Sequence, residues 1–341
     1  MKTNKFLIGF LLQATVCSSG LHAQTDLHAN AYSIIQDAVT DIVCTSPTDA
    51  IQKEKRVIQI LDGKGKGDAS FVCMCDRFSS LKKFSGEVRD ASGNVIRKIK
   101  KSELKVTEYS DELVSDDYYY FFEYTPSRYP ITITYEWEIK NSDGLIGYPS
   151  FLPQKNYNQS VAQASYRILT PADNPCRYRT INMQAEVSQK QTTDGNWLTE
   201  VKVQSLPAIQ KEPYSPALSE LLPRIYFTPR NFSFEGTKGS MDNWQTYGAW
   251  QYQLLSGRDQ IPPALKEELQ RRTANCNTPY EKIAAVYQYL ASTTRYVSIQ
   301  LGIGGLQPIA AADVHRTGFG DCKGLSNYMR CLLYTSPSPR D

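Results

Sequence analysis

The pattern of apolar and polar positions changes its period along the chain. Between residues 30 and 210 many segments alternate, and in residues 131–139 every second position is apolar: Ile131, Ile133, Tyr135, Trp137 and Ile139. A period of two predicts strands with one buried and one solvated face. Short strands separated by turns at intervals of about ten residues are typical of a β-sandwich. We therefore predict a β-sandwich domain over residues 26–210.

Two glycine-containing turns support these strands. Residues 90–94 separate two strand-like segments, and Asp194-Gly195 precedes a third. Glycine in such turns supplies the positive φ that a tight hairpin requires. The aromatic run at residues 118–124 is interpreted as a core strand shared between two sheets, because aromatic side chains bury large areas. A sugar-binding platform is the alternative for this run.

Beyond residue 240 the apolar spacing becomes helical. Trp244, Trp250 and Tyr252 share this spacing, and a further helix is predicted over residues 264–273. Thr278 and Glu281 form a capping-box pattern, with proline in the first turn. The helix that follows is predicted to bury one apolar face, made of Ile283, Val286, Tyr287 and Leu290.

Residues 211–239 lie between the two patterns. Pro213, Pro216 and Pro223 limit regular secondary structure there. We predict a linker over residues 211–239. The predicted order is thus a β-sandwich domain, a linker, and an α-rich region over residues 240–330.

A lone cysteine, Cys322, opens the last predicted helix directly after Gly320-Asp321. Unsatisfied N–H groups at a helix N-terminus stabilise a thiolate, which is the nucleophilic form of cysteine. The alternative is a buried cysteine that packs as a small apolar residue. Asp321 is predicted to form local hydrogen bonds at the helix terminus.

Three segments favour the nucleophile interpretation: Arg295-Tyr296-Val297, residues 301–308, and Gly320-Asp321-Cys322-Lys323. They resemble the core of the transglutaminase-like superfamily, in particular its secreted bacterial branch, in which a β-sandwich domain of unassigned function precedes the core. The resemblance implies a partial papain-like α+β core over residues 240–330, with Cys322 as the nucleophile. It also implies a catalytic histidine and aspartate on strands later in the chain.

The same resemblance implies that the complete protein is a thiol acyltransferase or amide hydrolase. Cys322 would attack an amide or ester carbonyl of a protein or peptide and form a thioester. His28 lies near the predicted mature N-terminus, and His315 precedes Cys322, whereas the resemblance places the catalytic histidine after the cysteine. The alternative is therefore a non-catalytic exported scaffold or binding protein that uses its β-sandwich domain.

The first 23 residues have the pattern of a signal peptide. Lys2 and Lys5 precede the apolar residues 6–16, and Ala23 ends an acceptable cleavage site. The apolar run is shorter than the roughly 20 residues that span a bilayer. We expect an exported, periplasmic protein without a membrane-spanning segment in its mature chain. A lipoprotein signal at Cys17 is disfavoured because Val16 occupies a position that requires a small residue.

Composition narrows the set of partners and cofactors. The chain has 38 Lys and Arg against 35 Asp and Glu, which gives no electrostatic reason to expect nucleic acid as a partner. Cys73-Met74-Cys75 lacks the second cysteine pair of a structural zinc site, so neither a metal nor another cofactor is predicted. Cysteine pairing and oligomeric state are left open.

Residues 331–341 differ in character from the helix before them. Pro337 and Pro339 are incompatible with a continuing helix. The peptide also resembles read-through into a sequencing-library adapter, with a natural Pro/Ser-rich tail as the alternative. We predict a non-native tail after Arg330. Such a chain would lack the implied histidine and aspartate, would be inactive, and would expose the apolar side of the Cys322 helix.

Overall fold

The computed structural model describes residues 26–108 and 114–335. The predicted signal peptide, Cys17 and residues 336–341 lie outside these ranges. The strands are β1 (Ser33–Cys44), β2 (Asp49–Ile60), β3 (Phe71–Cys75), β4 (Ser79–Arg89), β5 (Val95–Lys100), β6 (Lys105–Glu108), β7 (Val114–Ser115), β8 (Tyr118–Phe122), β9 (Ile131–Ser142), β10 (Tyr148–Phe151), β11 (Gln159–Thr170), β12 (Arg177–Ile181), β13 (Val187–Gln191), β14 (Trp197–Leu206), β15 (Arg224–Thr228), β16 (Asn231–Phe234), β17 (Thr237–Ser240), β18 (Arg295–Tyr296), β19 (Ile299–Gln300) and β20 (Phe319–Gly320). The α-helices are α1 (Leu218–Leu221), α2 (Trp244–Gln253), α3 (Pro263–Thr273), α4 (Pro279–Thr293), α5 (Ala311–Thr317) and α6 (Cys322–Thr335).

The N-terminal part of the chain is β-rich and is built on one eight-stranded sheet. Its strand order is β13-β14-β11-β1-β2-β9-β4-β5. β1 pairs with β11 in parallel, and the other neighbours in this sheet are antiparallel. The predicted strand at residues 131–139 is confirmed as β9, and both predicted hairpin turns are confirmed, with Gly93 at φ 85° and Gly195 at φ 80°.

Two three-stranded sheets cover one face of the large sheet. One has the order β10-β15-β12 and the other β3-β8-β6, so the predicted aromatic strand is β8, at the centre of a covering sheet. Each covering sheet closes a separate hydrophobic cluster, one around Tyr166 and Phe227 and one around Phe71 and Tyr135. The layers are sandwich-like, with one broad sheet and two small ones.

A polar seam of Gln52, Glu54 and Arg56 separates the two clusters. Residues two apart on a strand share a face, and on the same face of β2 Ala50 belongs to the first cluster and Ile58 to the second. Gln52 donates to Glu54 Oε1 at 2.8 Å, and Arg56 Nη2 lies 3.5 Å from Glu54 Oε2. The Glu54 and Arg56 side chains are only 8% and 15% exposed.

Buried thiols in the first cluster make the fold sensitive to alkali. Burial raises the pKa of Cys44 to about 11 and that of Cys176 to about 12, from a usual value of 9.0. Above pH 9 the unfolded chain loses these two thiol protons, whereas the folded chain keeps them. The free energy of unfolding is therefore fully present below pH 9 and falls as the pH rises toward 12.

We expect the free energy of unfolding of the Cys176→Ala variant to fall less steeply with pH above pH 9. One buried thiol contributes a slope of about 1.4 kcal/mol per pH unit between the two pKa values. Urea unfolding followed by circular dichroism at pH 8, 9, 10 and 11 measures the slope. Cys276→Ala, at a half-buried position, is the control. Equal slopes for the parent chain and Cys176→Ala would contradict the prediction.

Part of the predicted linker is a strand, which corrects the boundary drawn at residues 211–239. β15 is the central strand of a covering sheet, and its Ile225 and Phe227 are 0% and 2% exposed. The five residues of β15 alternate between outward and inward positions, with a proline on each side of the strand. These prolines limit the length of the strand, and one of them, Pro223, belongs to the set from which irregular structure is predicted.

The C-terminal part is helical, and α2, α3 and α4 are confirmed where the spacing predicted them. Thr278 accepts from the Glu281 N–H at 3.2 Å and Glu281 accepts from the Thr278 N–H at 3.3 Å, which confirms the capping box. α4 packs against α6. Its predicted apolar face was partly wrong, because Ile283 and Tyr287 are 46% and 60% exposed whereas Tyr289 is buried.

The helix that begins at Cys322 does not end at Arg330. α6 continues to Thr335, and its Cys331 and Leu332 are 5% and 0% exposed in a cluster with residues of α3, α4 and α5. The expectation that residues 331–335 leave the helix was therefore wrong, because their apolar positions continue the buried face. In the described parts of the chain, none of the helices combines the length and apolar character that crossing a bilayer requires.

Candidate active site

Cys322 lies where a short strand turns directly into a helix. Gly318 ends α5 with φ 68°, a left-handed conformation that glycine adopts without strain. The chain then forms β20, which pairs in parallel with β18 through the Arg295 N–H to the Gly318 carbonyl and the Val297 N–H to the Gly320 carbonyl, both at 3.0 Å. This pairing fixes the position at which α6 starts.

Asp321 caps α6, as the sequence predicted. Its Oδ1 accepts from the Gly324 N–H at 2.8 Å, and its backbone carbonyl accepts from the Leu325 N–H at 2.9 Å. Its Oδ2 forms an ion pair with Lys323 Nζ. The carboxylate is buried, at 1% exposure, and both of its oxygens are occupied by these partners. Asp321 therefore positions the helix start.

Cys322 is the exposed thiol among the cysteines of the described residues. Cys44, Cys73, Cys75, Cys176 and Cys331 are buried, and Cys276 is half-buried. The interpretation of Cys322 as a small core residue is therefore wrong. The first-turn N–H groups of an α-helix have no intrahelical acceptor, and Asp321 accepts only that of Gly324. The N–H groups of Cys322 and Lys323 remain available to stabilise negative charge beside the thiol.

His315 has a hydrogen-bond partner other than this thiol. Its Nδ1 forms a hydrogen bond of 3.1 Å with the Tyr328 hydroxyl, on the part of α6 that faces the core. Tyr328 is six residues from Cys322, which is about 9 Å along a helix axis. His28 is exposed in a turn at residues 26–30. In residues 26–108 and 114–335, neither histidine forms a hydrogen bond with Cys322.

The β-rich region holds the glycine-rich turn that precedes the site. Gly302 donates its N–H to Asp116 Oδ2 at 3.1 Å, and Ile303 donates to Glu235 Oε2 at 2.5 Å. Arg77 lies 3.6 Å from the Asp116 carboxylate and 3.5 Å from that of Glu235. We call Asp116, Glu235 and Arg77 the carboxylate clamp. Next to it, β7 pairs in parallel with β19. The turn at Gly302–Gly305 is thus a 3-10 turn that is fixed by side chains distant in sequence.

From this clamped turn the chain runs past the start of α6. Arg258 Nη1 donates to the Pro308 carbonyl at 3.3 Å, and Asn327 Nδ2 donates to the Arg258 carbonyl at 2.8 Å. Ile309 lies beside Gly324, and a Cβ on that glycine would be 3.4 Å from the Ile309 Cβ, in van der Waals contact. The segment before α5 therefore lies against the first turn of α6.

The candidate site thus brings together Cys322, Asp321 and Lys323, with a glycine-rich turn nearby in the chain. Within the described residues, no group of three or more His, Cys, Asp or Glu side chains is placed to hold a metal ion. The carboxylate clamp gave no signal in the sequence, because its contacts join residues 186 and 68 positions apart.

Comparison with known proteins gives a domain family and a fold. Residues 50–210 match the profile of DUF3857, described as a domain of unknown function with a solved structure. No curated protein matches the chain. The chain is similar in fold to a crystal structure from Parabacteroides distasonis ATCC 8503 that is described as a "putative protease". The TM-score is 0.63 at 13% identity, over 89% of this chain and 59% of that one.

Two structures of an M1 zinc metallopeptidase from Deinococcus radiodurans also match, with TM-scores of 0.29 and 0.28 and 9% identity. The matches cover 71% and 72% of this chain and 53% of each of those chains. TM-scores this low carry no argument about this protein. The chain spans 59% of the length of the Parabacteroides distasonis protein, and the likeness at 13% identity concerns the fold alone.

Proposed function

We propose that the complete protein is an exported transglutaminase-like enzyme that transfers or hydrolyses acyl groups through Cys322. The observation that carries the proposal is the exposed thiol at the first position of α6, directly after a capped turn and a fixed short strand. The resemblance of residues 295–297, 301–308 and 320–323 to a transglutaminase-like core supports it, as does the fold likeness to a chain described as a "putative protease".

In the proposed reaction the Cys322 thiolate attacks the carbonyl carbon of an amide. A carbon–sulfur bond forms, the carbon–nitrogen bond breaks, and the leaving amine takes up a proton. The N–H groups of Cys322 and Lys323 stabilise the oxyanion of the tetrahedral intermediate. Water or a second amine then attacks the thioester, and the Cys322 thiol is regenerated. The proton acceptor in this proposal is a histidine that residues 26–108 and 114–335 do not place at Cys322.

Alkylation of the native chain tests whether Cys322 is the reactive thiol. We expect iodoacetamide to label Cys322 first, because the other cysteines in the described residues are buried or half-buried. Peptide mass mapping over a time course identifies the labelled positions. The half-buried Cys276 is the internal control, and Cys322→Ser should remove the earliest label without changing the melting temperature. Earlier labelling of Cys276 would contradict the prediction.

A non-catalytic exported binding protein is the second candidate, favoured by the pairing of His315 with Tyr328 instead of Cys322. Incubation of the complete protein with a glutamine-containing peptide and dansylcadaverine separates the two functions. Amine incorporation or peptide hydrolysis that disappears in Cys322→Ala supports the enzyme. Turnover equal in the parent and Cys322→Ala, or no turnover while Cys322 is alkylated normally, favours the binding protein.

A further inference from the structure

An open groove of about 700 Å³ lies between the outer face of the β12–β15 pair and the start of α2, away from Cys322. Two of its lining residues are large aromatic side chains with high exposure, Tyr226 at 41% and Trp244 at 84%. Aromatic side chains usually bury most of their area. Exposed rings that line one concave surface are typical of a binding site.

The groove is built on rigid elements. Asn243 accepts from the Thr246 N–H at 2.9 Å and so caps α2 directly before Trp244. The Trp244 ring packs edge-on against Tyr247, with ring centres 6.4 Å apart, and Tyr247 in turn packs against the buried Trp250 at 5.7 Å. Tyr247 thus holds the exposed Trp244 ring in place by packing between it and the buried Trp250. A binding surface that is ordered before the ligand arrives loses less entropy on binding.

The charge of the groove is positive. Arg177 and Arg179 line it, and Arg177 Nη1 is held by the carbonyl oxygens of Met241 and Asp242. The Asp242 carboxylate accepts from Arg230 Nε at 2.8 Å, so its negative charge is already compensated. The side-chain amides of Asn243 and Gln245 add neutral donors and acceptors. A ligand complementary to this groove carries negative charge and many hydroxyl groups.

We propose that this aromatic groove binds an acidic carbohydrate chain of the uronic-acid type. The C–H faces of pyranose rings would stack on Trp244 and Tyr226, and a guanidinium of Arg177 or Arg179 would bind the sugar carboxylate. A nucleic-acid ligand fits less well, because two arginines in a chain of nearly balanced charge offer few phosphate contacts. The proposal stands independently of the chemistry at Cys322.

Isothermal titration of the purified chain tests this with four probes: hexagalacturonate, maltohexaose, a deoxythymidine decamer and a proline-rich decapeptide. We expect binding to hexagalacturonate, weaker binding to maltohexaose, and loss of the difference between the two sugars in high salt. Trp244→Ala should weaken hexagalacturonate binding about tenfold, as loss of a stacked ring predicts. Arg179→Gln should weaken hexagalacturonate binding but leave maltohexaose binding unchanged.

Tyr280→Ala is the matched control, because Tyr280 is 81% exposed on α4, outside the groove. It should bind hexagalacturonate as the parent does. Circular dichroism verifies that each variant is folded, which the exposure of Trp244 and Tyr280 makes the expected result. Absence of hexagalacturonate binding, equal affinity of Trp244→Ala and Tyr280→Ala, or preference for the oligonucleotide or the peptide would each overturn the proposal.

Discussion

Replacement of Glu54 by leucine is expected to lower the free energy of unfolding by about 3–5 kcal/mol, the range found when one partner of a buried ion pair is removed. Glu54 is the carboxylate of the polar seam, between the two hydrophobic clusters. Its loss leaves the half-buried Arg56 without its ion-pair partner. The Arg56 charge, together with burial, already lowers the pKa of the neighbouring Lys155 to about 8. Urea denaturation at pH 7, followed by circular dichroism, measures the change.

The double variant Glu54→Leu, Arg56→Met separates charge from shape. If the uncompensated guanidinium causes the loss, the second substitution should restore most of the stability, because side chains of similar volume then join the two clusters. Glu136→Gln is the matched control, since Glu136 is exposed on the opposite face of the neighbouring strand β9, and its effect should stay within about 0.5 kcal/mol. A double variant as unstable as Glu54→Leu would contradict this account of the seam.

Leu332→Ala should destabilise the C-terminal helical cluster by about 2–5 kcal/mol, as the creation of a core cavity predicts. Leu332 is 0% exposed and lies on the face of α6 that packs into the cluster of α3, α4 and α5. Thermal unfolding monitored at 222 nm, combined with proteolysis at a temperature below the transition, measures the loss. Cleavage should begin within α3–α6, whereas the eight-stranded sheet should remain protected.

Tyr334→Ala is the control for this helix, because Tyr334 is 64% exposed only two positions further on. Its effect should be within about 0.5 kcal/mol, as for other surface substitutions. If Leu332→Ala were as mild as Tyr334→Ala, the last turns of α6 would not pack as described. The expectation from sequence that the helix ends at Arg330 would then be restored.

The local patterns of the sequence were sufficient for the strands and helices that they encode directly. β9 follows from alternation, the hairpin at Gly93 from its turn residues, and α4 from Thr278 and Glu281. Each of these signals lies within a few residues of the structure that it specifies. For the same reason the start of α6 and the capping role of Asp321 were predictable, because both depend on residues 320–325 alone.

Features that depend on long-range contacts were not predictable in this way. β15 is a strand because its two inward side chains complete a cluster assembled from residues 35–227. Pro213, Pro216 and Pro223 predicted a linker instead. The buried face of α4 includes Tyr289 and excludes Ile283 and Tyr287, because the neighbouring helices pack on the side of Val286 and Tyr289. The carboxylate clamp on the turn at Gly302 joins separate parts of the chain, and single-sequence patterns contain no signal for such pairs.

The parallel pairing of β1 with β11 has a consequence for the order of folding. β1 is synthesised first, yet it lies near the centre of the large sheet, and its partner Gln159 follows Ser33 by 126 residues. At about 5–20 residues per second, the ribosome needs on the order of 10 s to supply that partner. Until then one edge of β1 has unpaired backbone groups, and long-range pairing of this kind folds slowly. For a protein exported as proposed, this delay keeps the nascent chain unfolded, so that it can pass through a secretion channel. The unpaired edge of β1 also brings a risk of aggregation if no chaperone covers it.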